Sequence, residues 1–286
     1  MRKILIIWDF SHDITPTLDK AALFIYGGPV VFHFVAFISH DTIRRTGITN
    51  PTAMTAMVEA TVQNHAICKA PYQVFAVHQD NIATWTTALC AEHPYDLVLK
   101  TVHLSNQAFH TPTDWQLIRQ LQVPLLLSGS EPLRLRSHVV AAIDLLDESP
   151  QQQQLNQKVA AYGWQATRHD GACLHLIQVL PLNTTLQRLK LTSKEAVLAK
   201  AAPAMLAKLQ AWRTAEQLPN TVIHLHVGVV AEEIQALCQQ LNAEFVVTGC
   251  SGHRPLAGFY ASNTAERLLQ LVSADLLVIK PDPVLS

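Results

Sequence analysis

Charged residues are scarce in this sequence of 286 residues. Lysine, arginine, aspartate and glutamate make up 15% of the chain, and the formal net charge is −1. So balanced a charge gives no reason to expect nucleic acid or an anionic membrane surface as a partner. The 49% hydrophobic content predicts a folded protein rather than a disordered one.

Cysteines and long apolar runs are also few. The five cysteines are odd in number and none belongs to a C-x-x-C pair. This excludes a disulfide framework and a zinc knuckle, and it predicts reduced thiols in the cytoplasm. No window approaches the roughly 20 apolar residues of a membrane span. The N-terminal run Ile4–Ile7 is too short for a signal peptide. We therefore expect a cytoplasmic protein with no membrane partner.

Motifs of familiar enzyme chemistry are missing as well. The chain contains no G-x-S-x-G nucleophile elbow, no Walker A lysine and no H-E-x-x-H zinc helix. We therefore predict no catalytic residue, and a binding protein rather than an enzyme.

Strand and helix patterns alternate along the chain, and the second half repeats the first. A buried-strand pattern ending in an acid begins each half, at Asp9 and at Asp144, 135 residues apart. Further along, Tyr95–Thr101 matches Ala243–Gly249 at a separation of 148 residues. Alternating strands and helices predict parallel sheets with right-handed crossovers. We predict an α/β fold of two tandem, doubly wound, five-stranded parallel sheets. Each is flavodoxin-like or Rossmann-like, with strand order 3-2-1-4-5.

The repeat also predicts the domain organisation. Gly129–Pro132 reads as a linker because glycine and proline interrupt regular structure. The expected domains are residues 1–132 and residues 133–286.

A glycine-marked loop follows the fourth strand of the second half. Gly249 and Gly252 let the backbone turn, and Ser262 or Asn263 is placed to cap the next helix. In parallel α/β proteins a glycine turn leading into a helix N-terminus commonly holds an anion. Together with the strand-end acid, the predicted ligand-binding residues are Asp144, Gly249, Gly252, Ser262 and Asn263.

Four segments carry a recognisable family pattern: Asp96–Lys100, Thr111–Trp115, Asn263–Glu266 and Asp275–Asp282. Together they resemble the universal stress protein family, most closely its tandem E-type members, and the resemblance extends over nearly the whole chain. It implies a cytoplasmic, stress-induced binding protein with weak or no catalytic activity. It also implies that the two domains pair within the chain, with a further homodimer as an open alternative.

The loop of the second half departs from the pattern of nucleotide-binding family members. Those members carry an acid after the first strand and a loop of the form G-x2-G-x9-G-[ST]. Gly249 and Gly252 match the first two glycines, but Ser262 stands where the third glycine belongs and Asn263 where serine or threonine belongs. A Cβ at Ser262 would hinder close phosphate approach, although its hydroxyl and the Asn263 amide can still donate hydrogen bonds. The favoured interpretation of the two glycines is a tight turn from strand to helix.

The first half has lost the loop, since Thr101 and Leu104 replace its two leading glycines. We therefore predict a ligand-binding protein of the stress response, without a clear catalytic site. Its second domain is expected to hold a small molecule of unknown identity, either a phosphate-bearing or an elongated apolar metabolite. Two alternatives stay open: an ATP-binding protein with slow hydrolysis, and a structural or interaction scaffold.

The 14 histidines raise the question of a metal. Asp9, His12 and His103 are expected near the ends of adjoining strands, where His110 could join them as a zinc ligand. Without close spacing in the sequence, ordinary loop histidines are favoured, and no metal site is predicted. His224 and His226 lie on one face of a strand. Polar positions on an edge strand are the favoured interpretation of this pair.

Overall fold

The computed structural model describes residues 1–10, 12–102, 112–134, 138–167, 172–182, 193–250 and 264–282. Within it the chain divides into two units, Met1–Leu133 and Arg134–Ser286. No helix of the described residues is long and apolar enough to cross a membrane.

The first unit alternates strands with helices. Its elements are β1 (Arg2–Trp8), α1 (Thr15–Ala22), β2 (Val30–Phe37), α2 (His40–Thr46), α3 (Pro51–Gln63), β3 (Tyr72–Val77), α4 (Ile82–Glu92), β4 (Leu97–Thr101), α5 (Pro112–Gln120) and β5 (Leu125–Ser128), with 3₁₀ turns at Leu23–Gly27 and Ala66–Lys69.

The five strands of this unit are parallel and run in the order β3-β2-β1-β4-β5. Strand β1 is central, so Ile4 lies opposite Phe32 of β2 on one side and Leu97 of β4 on the other. Strand β1 carries a continuous apolar run because both of its faces are covered, and Ile4 to Ile7 are at most 1% exposed.

The second unit repeats this plan. Its elements are β6 (His138–Ala142), α6 (Pro150–Ala166), β7 (Cys173–Pro181), α7 (Lys194–Ala215), β8 (Val222–Gly228), α8 (Val230–Leu241), β9 (Phe245–Gly249), α9 (Thr264–Leu271) and β10 (Asp275–Ile279).

The strands of the second unit are also parallel, in the order β10-β9-β6-β7-β8. Central strand β6 pairs with β7 on one side and β9 on the other, which places Val139 opposite both Leu174 and Phe245. The predicted α/β class, the parallel sheets and the 3-2-1-4-5 order are therefore confirmed in each unit.

Side-chain caps fix where two helices of the second unit begin. Ser149 Oγ accepts the N–H of Gln152 at the start of α6, and Ser193 Oγ accepts that of Ala196 at the start of α7. The first N–H groups of a helix lack backbone partners, so each cap supplies an otherwise missing acceptor. The Ser149 cap begins α6 a few residues beyond the end of β6, which brings its first turns beside the carboxyl end of the sheet.

Candidate functional site

A cleft of about 250 Å³ opens at the carboxyl ends of the strands in the second unit. The central strand β6 contributes its last residues here, between β7 and β9. The chain leaves β6 toward β7 on one side and reaches β9 on the other side. In open parallel sheets ligands bind at such a reversal of strand order. The lining residues are Ala142, Ile143, Asp144, Leu146, Gln152, Leu155, Ile177, Gln178, Val179, Pro181, Val230, Ile234, Thr248, Gly249 and Thr264.

Asp144 lies in the loop directly after β6. Its Oδ1 accepts the N–H of Leu146 at 2.9 Å, as in an Asx turn. Its backbone is held by α6: the Asp144 N–H donates to Asn156 Oδ1 at 2.9 Å, and Asn156 Nδ2 donates to the Asp144 carbonyl at 2.7 Å. Asp144 is thus an acid that shapes its own loop and also lines the cleft.

Asn156 is a positioning residue for this loop, and it is only 1% exposed. Its replacement by alanine is expected to lower the free energy of unfolding by about 2 kcal/mol, because two hydrogen bonds to the Asp144 backbone disappear. Urea unfolding measures the change. The matched control is Gln153→Ala on the exposed side of α6, where the amide donates to the Glu148 carbonyl. The control should change stability by less than about 0.5 kcal/mol, and an equal effect of the two variants would contradict the assignment.

Gln178 supports the neighbouring wall of the cleft from β7. The side chain is 1% exposed, its Oε1 accepts the N–H of Leu145 at 2.7 Å, and its Nε2 donates to the Val179 carbonyl at 3.1 Å. The loop after β6 is therefore held from α6 and from β7. Sequence reasoning missed both Asn156 and Gln178. The available signal for Gln178 was an amide within the otherwise apolar end of a buried strand.

Gly249 ends β9 at the base of the cleft, where it packs against α6. A Cβ added to Gly249 would lie 2.6 Å from Leu155 Cδ2 and 2.8 Å from Leu155 Cγ. Real Cβ atoms do not approach other carbons so closely, so a side chain at this position would force the buried Leu155 to shift. The other predicted loop residues, Gly252, Ser262 and Asn263, lie outside the described residues. Thr264, which lines the cleft, begins α9 directly after them.

The equivalent place in the first unit is filled by a buried ion cluster. Lys100 Nζ lies 2.7 Å from Asp9 Oδ2 and 3.2 Å from Asp114 Oδ1, and it donates to the Thr101 carbonyl at 3.0 Å. Burial opposes the charge of Lys100, but the nearby Asp114 and Asp9 carboxylates outweigh it and raise the pKa of the lysine above its ordinary value. The strand-end acid of this unit therefore binds a lysine of its own chain.

The repeat shows how the two units differ at this point. With the offset of 148 residues, Lys100 corresponds to Thr248. Asp114 corresponds to Ala265, since the helix that follows is offset by 151 residues. The second unit keeps the acid, as Asp144, but has neither the lysine nor the second carboxylate. Of the four residues considered as zinc ligands in the first unit, Asp9 pairs with Lys100 and His12 is half-buried in the loop after β1. His103 and His110 lie outside the described residues.

A row of histidines crosses the second sheet away from the cleft. His138 Nδ1 lies 2.8 Å from His175 Nε2, and His175 Nδ1 lies 2.9 Å from His224 Nε2. Burial, together with His224 and His138, lowers the pKa of His175 to about 4. Burial and His226 also lower the pKa of His224. His226 turns to another partner, with its Nδ1 at 3.1 Å from Glu233 Oε2. The sequence reading of His224 and His226 as polar edge positions overlooked His138 and His175.

Sequence comparison finds one family over this chain. The model of the universal stress protein family matches residues 136–280. Universal stress protein E of Salmonella typhi is 30% identical over 289 residues, which cover 99% of this chain and 85% of that protein. Universal stress protein E of Escherichia coli K12 is 29% identical with the same coverage.

Structural comparison agrees on the fold. A universal stress protein of Pseudomonas aeruginosa UCBPP-PA14 superposes with a TM-score of 0.75 at 20% identity, covering 99% of this chain and 94% of that one. A universal stress protein of Archaeoglobus fulgidus gives a TM-score of 0.61 at 13% identity, covering 97% and 98%. At these identities the likeness shows the fold alone.

Proposed function

The chain belongs to the universal stress protein family, with relatives named universal stress protein E over nearly its whole length, and we propose that it is a stress-response binding protein. Its second domain, residues 133–286, holds a small ligand in the cleft beside Asp144. The observation that carries this proposal is the position of the cleft at the carboxyl ends of β6, β7 and β9, where the strand order reverses. The five cysteines, all within the described residues, are thiols rather than disulfides. This supports action in the cytoplasm.

The lining of the cleft indicates what kind of ligand it would take. Ile177, Val179 and Ile234 offer an apolar wall, while Asp144 is the charged residue among the described lining residues. A carboxylate favours a hydroxyl or amine donor and repels an anion. The ligand therefore combines a compact apolar body with a donor group facing Asp144. The ligand must be small, because the volume of the cleft is below the range of about 300–1,000 Å³ that is usual for pockets that bind drug-sized ligands.

The ATP-binding alternative gains support from one feature of the cleft. Thr264, the first residue of α9, lines it. The start of a helix favours negative charge, so a phosphate would be accommodated there rather than beside Asp144. A nucleotide would then place its ribose hydroxyls toward Asp144. In the described part of the first unit, the corresponding acid, Asp9, is paired with Lys100.

Binding measurements distinguish these proposals. Asp144→Ala is expected to weaken the binding of a small molecule retained through native purification by at least about tenfold, or roughly 1.4 kcal/mol. Native mass spectrometry identifies the retained molecule, and calorimetry measures its affinity for both proteins. The matched control is Asp147→Ala, an exposed acid of the same loop that accepts the Ser149 N–H. It should leave the affinity unchanged.

The same experiments decide between the candidates. If the protein binds ATP or ADP with micromolar affinity and Asp144→Ala abolishes this binding, the ligand is a nucleotide and not the apolar metabolite proposed above. A chain that retains no molecule and binds neither nucleotide would point instead to a scaffold. If Asp144→Ala and Asp147→Ala bind the retained molecule with equal affinity, Asp144 does not contribute to the binding site.

A further inference from the structure

Three potential metal ligands lie close together at the amino-terminal ends of β6 and β7. The cleft is at the opposite, carboxyl ends of these strands. His138 is the first residue of β6 and Cys173 the first of β7, and the two lie directly opposite each other in the parallel register. His175 stands two residues further along β7. Since side chains alternate along a strand, it shares a face with Cys173.

The ligand atoms of these three side chains already lie close together. One nitrogen of each histidine and the Cys173 sulfur are all within 4.8 Å of one another. His138 Nδ1 and His175 Nε2 are 2.8 Å apart. Two zinc–nitrogen bonds of 2.0–2.1 Å at a tetrahedral angle would separate these nitrogens by about 3.3 Å. An ion would therefore replace the shared proton after a movement of about half an ångström.

The next histidine in the row holds His175 in the orientation that a metal ligand needs. His175 Nδ1 lies 2.9 Å from His224 Nε2. When Nδ1 carries the proton and donates it to His224, the lone pair of Nε2 points at His138 and Cys173. Metal-ligating histidines almost always donate their second ring N–H to an acceptor in this manner. His175 is thus arranged as a metal ligand, with His224 as the acceptor that orients it.

The three side chains differ in how far they are exposed to solvent. His175 is 5% exposed, whereas His138 and Cys173 are half-buried. An ion can reach the outer two ligands from solvent and engage the buried one behind them.

We propose that His138, Cys173 and His175 bind a borderline transition-metal ion, with Zn²⁺ as the ion to test, and that the fourth coordination position is open to water. Two imidazoles and a thiolate suit zinc and copper rather than magnesium or calcium, which prefer oxygen ligands. Binding displaces the proton shared by the two imidazoles onto Nε2 of His138, and the Cys173 thiol releases its proton to solvent as the sulfur–metal bond forms.

Metal titration of the full-length protein without a histidine tag tests the site. We expect one Zn²⁺ per chain in competition with a chromophoric chelator. Co²⁺ should give the absorption of a tetrahedral site with a thiolate-to-cobalt band. Cys173→Ser should remove that band and weaken Zn²⁺ binding at least about a hundredfold, and His224→Leu should weaken it about tenfold by removing the supporting acceptor.

Matched controls come from the same chain. Cys68→Ser removes an exposed thiol, and His226→Gln removes a histidine that pairs with Glu233; both should bind Zn²⁺ as the original protein does. A measurement on the unaltered protein covers the case of a variant that does not fold: Zn²⁺ should protect Cys173, but not Cys68, from alkylation. The proposal is wrong if the protein takes up no ion in excess zinc, or if Cys173 is alkylated equally with and without it.

Discussion

Replacing Lys100 with methionine is expected to lower the free energy of unfolding of the first unit by about 3–5 kcal/mol. Methionine keeps much of the volume of the lysine but removes the cation between Asp9 and Asp114. The lysine and Asp114 side chains are each 3% exposed, so two carboxylates would face each other with little help from water. Hydrogen exchange of the β4 amides in increasing urea measures the loss in this unit.

Two comparison variants separate the charge effect from packing. The triple variant Asp9→Asn, Asp114→Asn, Lys100→Met removes all three charges and should recover most of the lost stability, because buried ion clusters often add little over neutral residues of similar shape. Lys158→Met breaks the more exposed ion pair with Asp282 and should cost less than about 1 kcal/mol. If the triple variant were as unstable as the single one, side-chain volume rather than unpaired charge would be the cause.

Replacing Gly249 with valine is expected to destabilise the second unit by about 3 kcal/mol. Its Cβ would lie 2.6 Å from Leu155 Cδ2. Leu155 itself is 2% exposed, so moving it aside would break the packing of a buried side chain. Urea unfolding measures the cost, and the decisive comparison is a double-mutant cycle with Leu155→Ala. Once that leucine is shortened, Gly249→Val should cost less than about 1 kcal/mol, since the valine fills the space that Leu155 vacates.

The cycle also distinguishes two reasons for a glycine at this position. If glycine were present only to let a phosphate approach the backbone, the cost to stability would be small in both backgrounds. An equal, large cost in both backgrounds would instead implicate the backbone of β9 and not the contact with α6. The packing explanation requires strong coupling between the two positions.

The fold could be predicted from the sequence because hydrophobic patterns and an internal repeat are visible along the chain. Buried strand patterns alternate with helices, and the separation between Tyr95–Thr101 and Ala243–Gly249 reveals the duplication directly. The predicted strand order is the usual one for doubly wound parallel sheets. The acid at the end of each first strand was also visible, and so was the loss of the glycine loop in the first half.

The chemistry of individual positions could be predicted only in part. The fate of Asp9 depends on Lys100 and Asp114, which are 91 and 105 residues away, and no local pattern reports that their side chains converge. The requirement for Gly249 comes from Leu155 on another element, so the sequence could not distinguish a packing glycine from a phosphate-binding one. The histidine row depends on the register of β6 against β7 and of β7 against β8, which sequence spacing does not specify.

The central position of β6 also governs how the chain can fold as it is synthesised. Val139 pairs with Phe245 of β9, 106 residues later in the chain. At a translation rate of 5–20 residues per second, β6 leaves the ribosome roughly 5–20 s before its partner. During that interval one edge of β6, a strand that is apolar from Val139 to Ala142, is uncovered and open to wrong pairing. The first unit has all five of its strands by then, since the last of them, β5, ends at Ser128. A newly made chain therefore carries every strand of the first unit while the second unit still has an unpaired strand edge that needs protection from aggregation.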